Sequence, residues 1–188
     1  MNRSPLVYFL FFLSGISGLV YEIVWTRMLT LTFGHTVFSA SIVLCAFMAG
    51  LGLGSYLWGH WADTERDPLL VYGKIEILIA VIGSILSIIL ANFGPIYSWF
   101  HVFIPEISLL QNVVKGVLSF GMVMFPAMLM GATLPIVGKY FVSDDKKIGT
   151  QIGLLYAINT FGAALGCVLT GFILIPTLKM RNNFQMIT

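Results

Sequence analysis

Five long stretches without a charged residue constrain this chain more than any other feature. A helix that crosses a bilayer needs about 20 consecutive, mostly apolar residues, and each stretch approaches or exceeds that length. Hydrophobic residues make up 58% of the chain and charged residues 10%, against roughly 25% charged residues in a soluble domain. The sequence therefore predicts an all-α membrane protein whose main partner is the lipid bilayer. The stretches are Ser4 to Tyr21, Thr36 to Gly59, Ile77 to Phe100, Gly116 to Gly138 and Ile148 to Leu178.

About five transmembrane helices are expected within one helical domain, residues 1–178, followed by a polar tail, residues 179–188. Glycine and proline inside the spans are tolerated because neighbouring helices can satisfy the freed backbone groups. Residues 94–112 are either an interfacial segment rich in aromatic residues or an ordinary loop. The predicted spans are residues 6–31, 38–61, 69–93, 113–140 and 152–177.

The lysine and arginine residues predict the orientation in the membrane. Six of them fall on the side shared by the N-terminus and the second-to-third and fourth-to-fifth loops. Positive residues favour the cytoplasm, so we expect a cytoplasmic N-terminus, most simply in a cell inner membrane. The six residues are Arg3, Arg66, Lys74, Lys139, Lys146 and Lys147.

The second and fifth spans contain an internal repeat, in which glycines of the second span match glycines of the fifth. Each matched pair is separated by the same number of residues along the chain, and this separation is called the repeat offset. Gly50 and Gly54 fall on Gly162 and Gly166, and small residues four apart let helix backbones approach closely. The glycines indicate either two independent packing faces or an inverted repeat of three helices per unit. The second interpretation predicts a major-facilitator-like half-bundle that lacks its sixth helix, because the polar tail is too short to cross the membrane.

Four residues within the spans are candidates for an intramembrane polar site: Glu22, Arg27, Glu76 and Asn159. A charge inside a membrane is costly and often functional. Glu22 and Arg27 are either interfacial anchors or partners of another helix. Glu76 either lies inside the bundle or reaches the interface with Lys74. Asn159 either joins two helices by a hydrogen bond or lines a wet cavity.

Several classes of function are not supported by the sequence. The basic residues are scattered, so no nucleic-acid partner is expected. His35, His60 and His101 fall at different interfaces, so we predict no metal site. Cys45 and Cys167 are expected to pack between helices or, as the alternative, to form a disulfide or metal site. The chain contains no phosphate-binding or dinucleotide-binding fingerprint, and we expect no catalytic residue and no cofactor.

Four segments together resemble a known family. They are YEIVWTRMLTLTFGHT at 21–36, AFMAGLGLGSYLWGHWAD at 46–63, GATLPIVGKY at 131–140 and LYAINTFGAALG at 155–166. In this order they resemble the membrane region of the fused major-facilitator-like spermidine synthase proteins, over nearly the whole chain up to Pro176. The resemblance implies a membrane module that anchors or feeds a soluble aminopropyltransferase-like domain, which binds decarboxylated S-adenosylmethionine and a polyamine. That soluble domain is expected to be absent from this chain.

The segment after the second span also resembles the gating loop of major facilitator transporters, through Gly59, Asp63 and Arg66. It departs from that motif because Thr64 replaces a basic residue and Arg66 replaces a glycine. A solvated loop explains the same residues. The alternatives to the membrane module are a small-molecule or polyamine transporter with Glu22, Glu76 and Asn159 along its path, or a structural membrane subunit.

Overall fold

The computed structural model describes residues 4–34, 36–62, 67–92, 108–141 and 148–177. Within these ranges the regular secondary structure is entirely helical, and five helices are long and apolar enough to cross a membrane. The predictions of an all-helical chain and of about five such helices are confirmed. The helices are α1 (Ser4–Phe33), α2 (Thr36–Ala62), α3 (Pro68–Ala91), α4 (Ser108–Phe141) and α5 (Ile148–Leu169), the last continuing through a π-helical segment (Thr170–Leu174) to Ile175–Thr177.

Successive helices run in opposite directions. Between α1 and α2 the chain turns at Gly34, whose φ of 73° is a left-handed conformation that glycine adopts without steric cost. Phe33 and Phe38 pack edge-to-face across this turn, with their ring centroids 5.4 Å apart. The helices α1, α3 and α5 are therefore parallel to one another and antiparallel to α2 and α4.

The helix α4 occupies the centre of the bundle. It packs on α2 and α3, whereas α5 packs mainly on α1. The most apolar window of α4 is 44% buried, against 22% for α1 and 17% for α5. Two clusters of buried side chains connect the helices, one around Tyr72 and Ile136 and the other around Trp25 and Val123. Lipid tails are as apolar as these side chains, so close packing holds the helices together.

The four repeat glycines lie at close contacts between helices. Gly50 and Gly54 of α2 meet the backbone of α4, and Gly162 and Gly166 of α5 meet the backbone of α1. A Cβ atom at any of these positions would overlap the opposing helix. Both glycine faces are therefore occupied within this chain, which leaves neither face free for a partner subunit.

The contacts of these glycines follow the same offset as the sequence repeat. Gly50 faces the carbonyl oxygen of Met124, and Gly162 faces that of Phe12. Phe12 precedes Met124 by as many positions as Gly50 precedes Gly162. In the same way, Gly54 contacts Met128 and Gly166 contacts Ile16. The repeat offset relates Gly54 to Gly166 and Ile16 to Met128. The repeat offset therefore relates the α2–α4 interface to the α1–α5 interface. In the sequence, only the glycines of α2 and α5 reveal this relationship, because the residues that they contact in α4 and α1 are not alike.

Prolines affect the two C-terminal helices differently. Pro126 and Pro135 lie inside α4, which stays helical through both positions. In α5 the helix widens instead, and the Ile175 amide donates to the carbonyl of Thr170, five residues back. Pro176 follows at once, and a proline ring clashes with the carbonyl four residues earlier in a regular helix. Local π-helical adjustments of this kind help membrane helices to tolerate proline.

The outer surface of the bundle is apolar. Tyr56 is 81% exposed and Phe172 is 80% exposed, as expected for side chains that face lipid. Cys45 and Cys167 are also exposed and free. The prediction that both cysteines pack between helices is wrong for the contacts within this chain, because each lies on the outward side of its helix.

Candidate functional site

The candidate site lies between the parallel helices α1 and α3. Toward their C-terminal ends the two helices are in close contact. The Trp25 indole nitrogen donates to the Ser87 hydroxyl at 3.0 Å, and the Tyr21 hydroxyl donates to the carbonyl of Ala80 at 3.4 Å. The ring of Tyr21 lies over Gly83, where a Cβ would come within 2.7 Å of it. This end of the α1–α3 interface is therefore closed.

Toward their N-terminal ends, α1 and α3 flank a cavity of about 650 Å³ that is open on one side. That volume is within the range of small-molecule sites in proteins. Apolar side chains line the part nearest the helix N-termini, and four polar side chains line the deeper part. The apolar ones are Leu6, Val7, Leu10, Leu13 and Leu69, and the polar ones are Ser14, Ser17, Tyr72 and Glu76, with Gly73 between the last two.

Glu76 is the charged residue of this cavity. It lies eight residues after Pro68, which at about 1.5 Å per residue is about 12 Å along α3. The hydroxyl groups of Ser14 and Tyr72 lie within interaction range of its carboxyl group. Among the described residues, however, neither Oε1 of Glu76 nor the hydroxyl of Tyr72 has a hydrogen-bond partner of good geometry, and both atoms are buried.

Lys74 does not neutralise Glu76. Two residues of separation place their side chains about 200° apart around a helix, and Lys74 is exposed on the outer side of α3. The Oε1 atom of Glu76 is buried within the protein, and the expectation that both side chains reach the interface stays a prediction. Within the described part of the chain, no lysine or arginine lines the cavity that Glu76 faces.

Glu22 and Arg27 lie further along α1 and do not line this cavity. Both are half-buried, and no ion pair involves either of them within the described part of the chain. The buried Nε atom of Arg27 has no hydrogen-bond partner there.

Asn159 joins α5 to α1. Its side-chain amide donates to the carbonyl of Phe11 at 3.1 Å, and its backbone carbonyl lies against Gly15. Asn159 and Glu76 therefore flank the same segment of α1, residues 11–15, from the sides of α5 and α3. The amide acts here as a link between helices, which is one of the two roles expected from the sequence.

The candidate gating loop is described only at its start. Gly59 lies in the last turn of α2, where a Cβ atom would meet no other residue within 4 Å. Asp63 and Arg66 lie outside the described residues. The proposed resemblance to a transporter gating loop thus stays a prediction.

Sequence reasoning found Glu76 but missed Ser14 and Tyr72. Serine is common in membrane helices, and a tyrosine near a helix end usually anchors it at the interface. The register of α1 against α3 brings these residues together, and it is marked by Phe11 and Tyr72, whose ring centroids lie 6.2 Å apart. That register is set by helix packing, so no signal in the sequence pointed to it.

The chain is similar to polyamine aminopropyltransferases. It is 27% identical to a polyamine aminopropyltransferase of Corynebacterium efficiens over 171 residues, which are 89% of this chain and 30% of the relative. It is 23% identical to polyamine aminopropyltransferase 1 of Streptomyces coelicolor over 171 residues, 88% of this chain and 28% of the relative.

A polyamine aminopropyltransferase of Leptospira interrogans gives the same pattern, with 24% identity over 169 residues, 89% of this chain and 30% of the relative. The chain therefore spans less than a third of the length of the curated relatives it matches. No protein-family model and no solved structure matches the chain. These findings support a spermidine synthase-like relationship for the apolar helices described above.

Proposed function

We propose that this chain is the membrane module of a spermidine synthase-like protein and that it anchors or feeds a soluble aminopropyltransferase-like domain. The observation that carries the proposal is the similarity to three polyamine aminopropyltransferases over 88–89% of the chain. The match covers most of the chain, and the described part of the chain contains five helices that are long and apolar enough to cross a membrane. In each relative it covers 28–30% of the length, so most of each relative lies outside the region matched here.

We further propose that the module is a six-helix inverted repeat of the major facilitator type. Two observations support this architecture. The repeat offset relates α1 to α4 and α2 to α5 through matching glycine contacts, and helices related in this way run in opposite directions. The burial is unequal, because 44% of the α4 window is buried but only 22% of the α1 window. A counterpart of α3, packed on α1 as α3 packs on α4, would remove this inequality.

The proposed sixth helix has a predicted contact surface. The cluster in which α3 meets α4 includes Leu129 and Ala132, and the repeat offset carries these residues onto Ser17 and Val20 of α1. Ser17 lines the cavity between α1 and α3. The sixth helix would therefore cover the side of the cavity that α1 and α3 leave open.

The experiment is to determine the mass of the native product in the membranes of its source and to assay those membranes for aminopropyl transfer. An antibody against this chain would isolate the product after detergent extraction. We expect a longer polypeptide that converts a diamine and decarboxylated S-adenosylmethionine to spermidine. A native product that ends at Thr188 and isolates without this activity would overturn the proposal.

A further inference from the structure

The cavity between α1 and α3 combines a long apolar wall with a polar end that lies deep in the bundle. At one end, leucine side chains of both helices line the cavity. At the other end the Glu76 carboxyl group faces the hydroxyl groups of Ser14 and Tyr72. The buried Oε1 of Glu76 and the buried hydroxyl of Tyr72 lack hydrogen-bond partners within the described part of the chain.

A carboxylate held in this position needs a cation or a donor. An ionised side chain inside a membrane is costly unless it is paired, and a buried acceptor without a donor adds to that cost. No lysine or arginine lines the cavity among the described residues. A molecule that enters the cavity, or a segment that covers it, can supply the missing partner.

The chemistry of the lining selects among cations. A calcium or magnesium ion requires about six or more oxygen ligands, and the described residues hold no group of three or more potential metal-binding side chains. A quaternary ammonium has no N–H group that could donate to Oε1 of Glu76 or to the hydroxyl oxygen of Tyr72. A primary ammonium has three donors, which match the oxygen atoms of Glu76, Tyr72 and Ser14. The leucine side chains beyond them suit an alkyl chain.

We propose that the cavity binds an aliphatic primary amine, with the ammonium group at Glu76 and the alkyl chain along Leu10, Leu13 and Leu69. This binding site goes beyond the membrane-module role and does not require a catalytic domain. Polyamines belong to the same chemical class, so a polyamine is one amine that the site would accept. Binding and aminopropyl transfer can accordingly succeed or fail independently.

The test measures binding of radiolabelled n-butylamine to the native polypeptide in lipid nanodiscs, with empty nanodiscs as the blank. We expect saturable binding at one site per chain. Unlabelled n-butylamine should compete, whereas n-butanol, which has the same alkyl chain without the charge, should not. Absence of saturable binding, or equal competition by n-butanol, would show that the cavity is no ammonium site.

Two variants locate the site. Glu76→Gln removes the charge and should weaken binding by at least about tenfold, because charge-assisted hydrogen bonds are the strong ones. Asp67→Asn removes a carboxylate from the exposed start of α3 and should leave binding unchanged. If Glu76→Gln binds n-butylamine as tightly as the native chain does, the proposal fails.

A second pair of variants guards against misfolding of Glu76→Gln. Gly73 lines the cavity, and a Cβ at this position meets no atom within 4 Å. Gly73→Leu should therefore fill the cavity without disturbing the helices and should abolish binding. The matched control is Gly52→Leu, which also adds a side chain in open space but lies away from the cavity. Unchanged binding in Gly73→Leu would place the amine elsewhere.

Discussion

Gly54 of α2 lies against the backbone carbonyl of Met128 in α4, so closely that any side chain at this position would overlap it. The same relationship joins Gly166 of α5 to Ile16 of α1. The two contacts hold the two main helix pairs of the bundle, so they give direct tests of the packing.

Gly54→Leu should destabilise the bundle. The added side chain meets backbone atoms of Met128 rather than a flexible side chain, and overpacking of this kind costs roughly 1–3 kcal/mol. The free energy of unfolding in mixed detergent micelles measures the effect. Gly59→Leu is the control, because its new side chain enters open space. Equal stability of the two variants would contradict the α2–α4 contact.

Gly166→Leu tests the counterpart interface between α1 and α5. We expect a loss of similar size, roughly 1–3 kcal/mol, because the new side chain would meet the Ile16 backbone. The control is Gly171→Leu, where a Cβ meets nothing within 4 Å. The repeat offset that relates Gly54 to Gly166 also relates Gly59 to Gly171, so the two variants and their two controls are matched. A large loss at Gly54 with none at Gly166 would argue against the repeated contact.

Asn159→Leu should weaken the link between α5 and α1. The substitution keeps the approximate size of the side chain and removes the hydrogen bond to the Phe11 carbonyl. Such bonds in membrane proteins contribute about 0.6 kcal/mol on average and up to about 1.7 kcal/mol, so the unfolding free energy should fall by that amount. Thr160→Val, on the exposed side of α5, should change it little. A loss no larger in Asn159→Leu than in Thr160→Val would show that the bond adds no stability.

Trp25→Phe should loosen the closed end of the α1–α3 interface. Phenylalanine keeps an aromatic ring against Tyr21 but cannot donate to the Ser87 hydroxyl. We expect a loss of about 0.6 kcal/mol for the hydrogen bond plus a packing term for the smaller ring. In a Ser87→Ala background the hydrogen-bond part should disappear. If Trp25→Phe lowers the free energy of unfolding by the same amount in the Ser87→Ala background, the effect comes from packing alone.

Cysteine labelling tests the predicted orientation. A cytoplasmic N-terminus places Asp67, at the start of α3, inside and Asn92, at its end, outside. In intact cells a membrane-impermeant maleimide should label Asn92→Cys and should label Asp67→Cys only after lysis, in a background without Cys45 and Cys167. The reverse pattern would place the N-terminus outside.

The helices could be predicted because lipid leaves the backbone few choices. No water is available in the bilayer core to satisfy N–H and C=O groups, so an uncharged apolar stretch that crosses it must form a helix. The predicted starts differ from the observed ones mainly at α4 and α5, which begin at Ser108 and Ile148. The hydrophobic pattern marks the part of a helix inside lipid, whereas a helix can continue beyond it with polar residues.

The candidate site could be predicted only in part. Glu76 was identified because a charge inside an apolar stretch is conspicuous in any reading of the sequence. Ser14 and Tyr72 complete the polar end of the cavity, but their contribution depends on the alignment of α1 with α3. Asn159 lies in a helix that is long and apolar enough to cross a membrane, but its partner is a backbone carbonyl, and such a partner has no signature in the sequence.

By itself, the sequence determined that this chain forms five apolar helices and that two of them carry matching glycine faces. Only the tertiary structure decided that these faces meet α4 and α1 of the same chain, and that α1 and α3 separate to leave a cavity with Glu76 at its deep end. The reason is physical. Helix formation in lipid depends on local backbone hydrogen bonds, whereas the choice of neighbour depends on the fit between surfaces that lie far apart in the sequence.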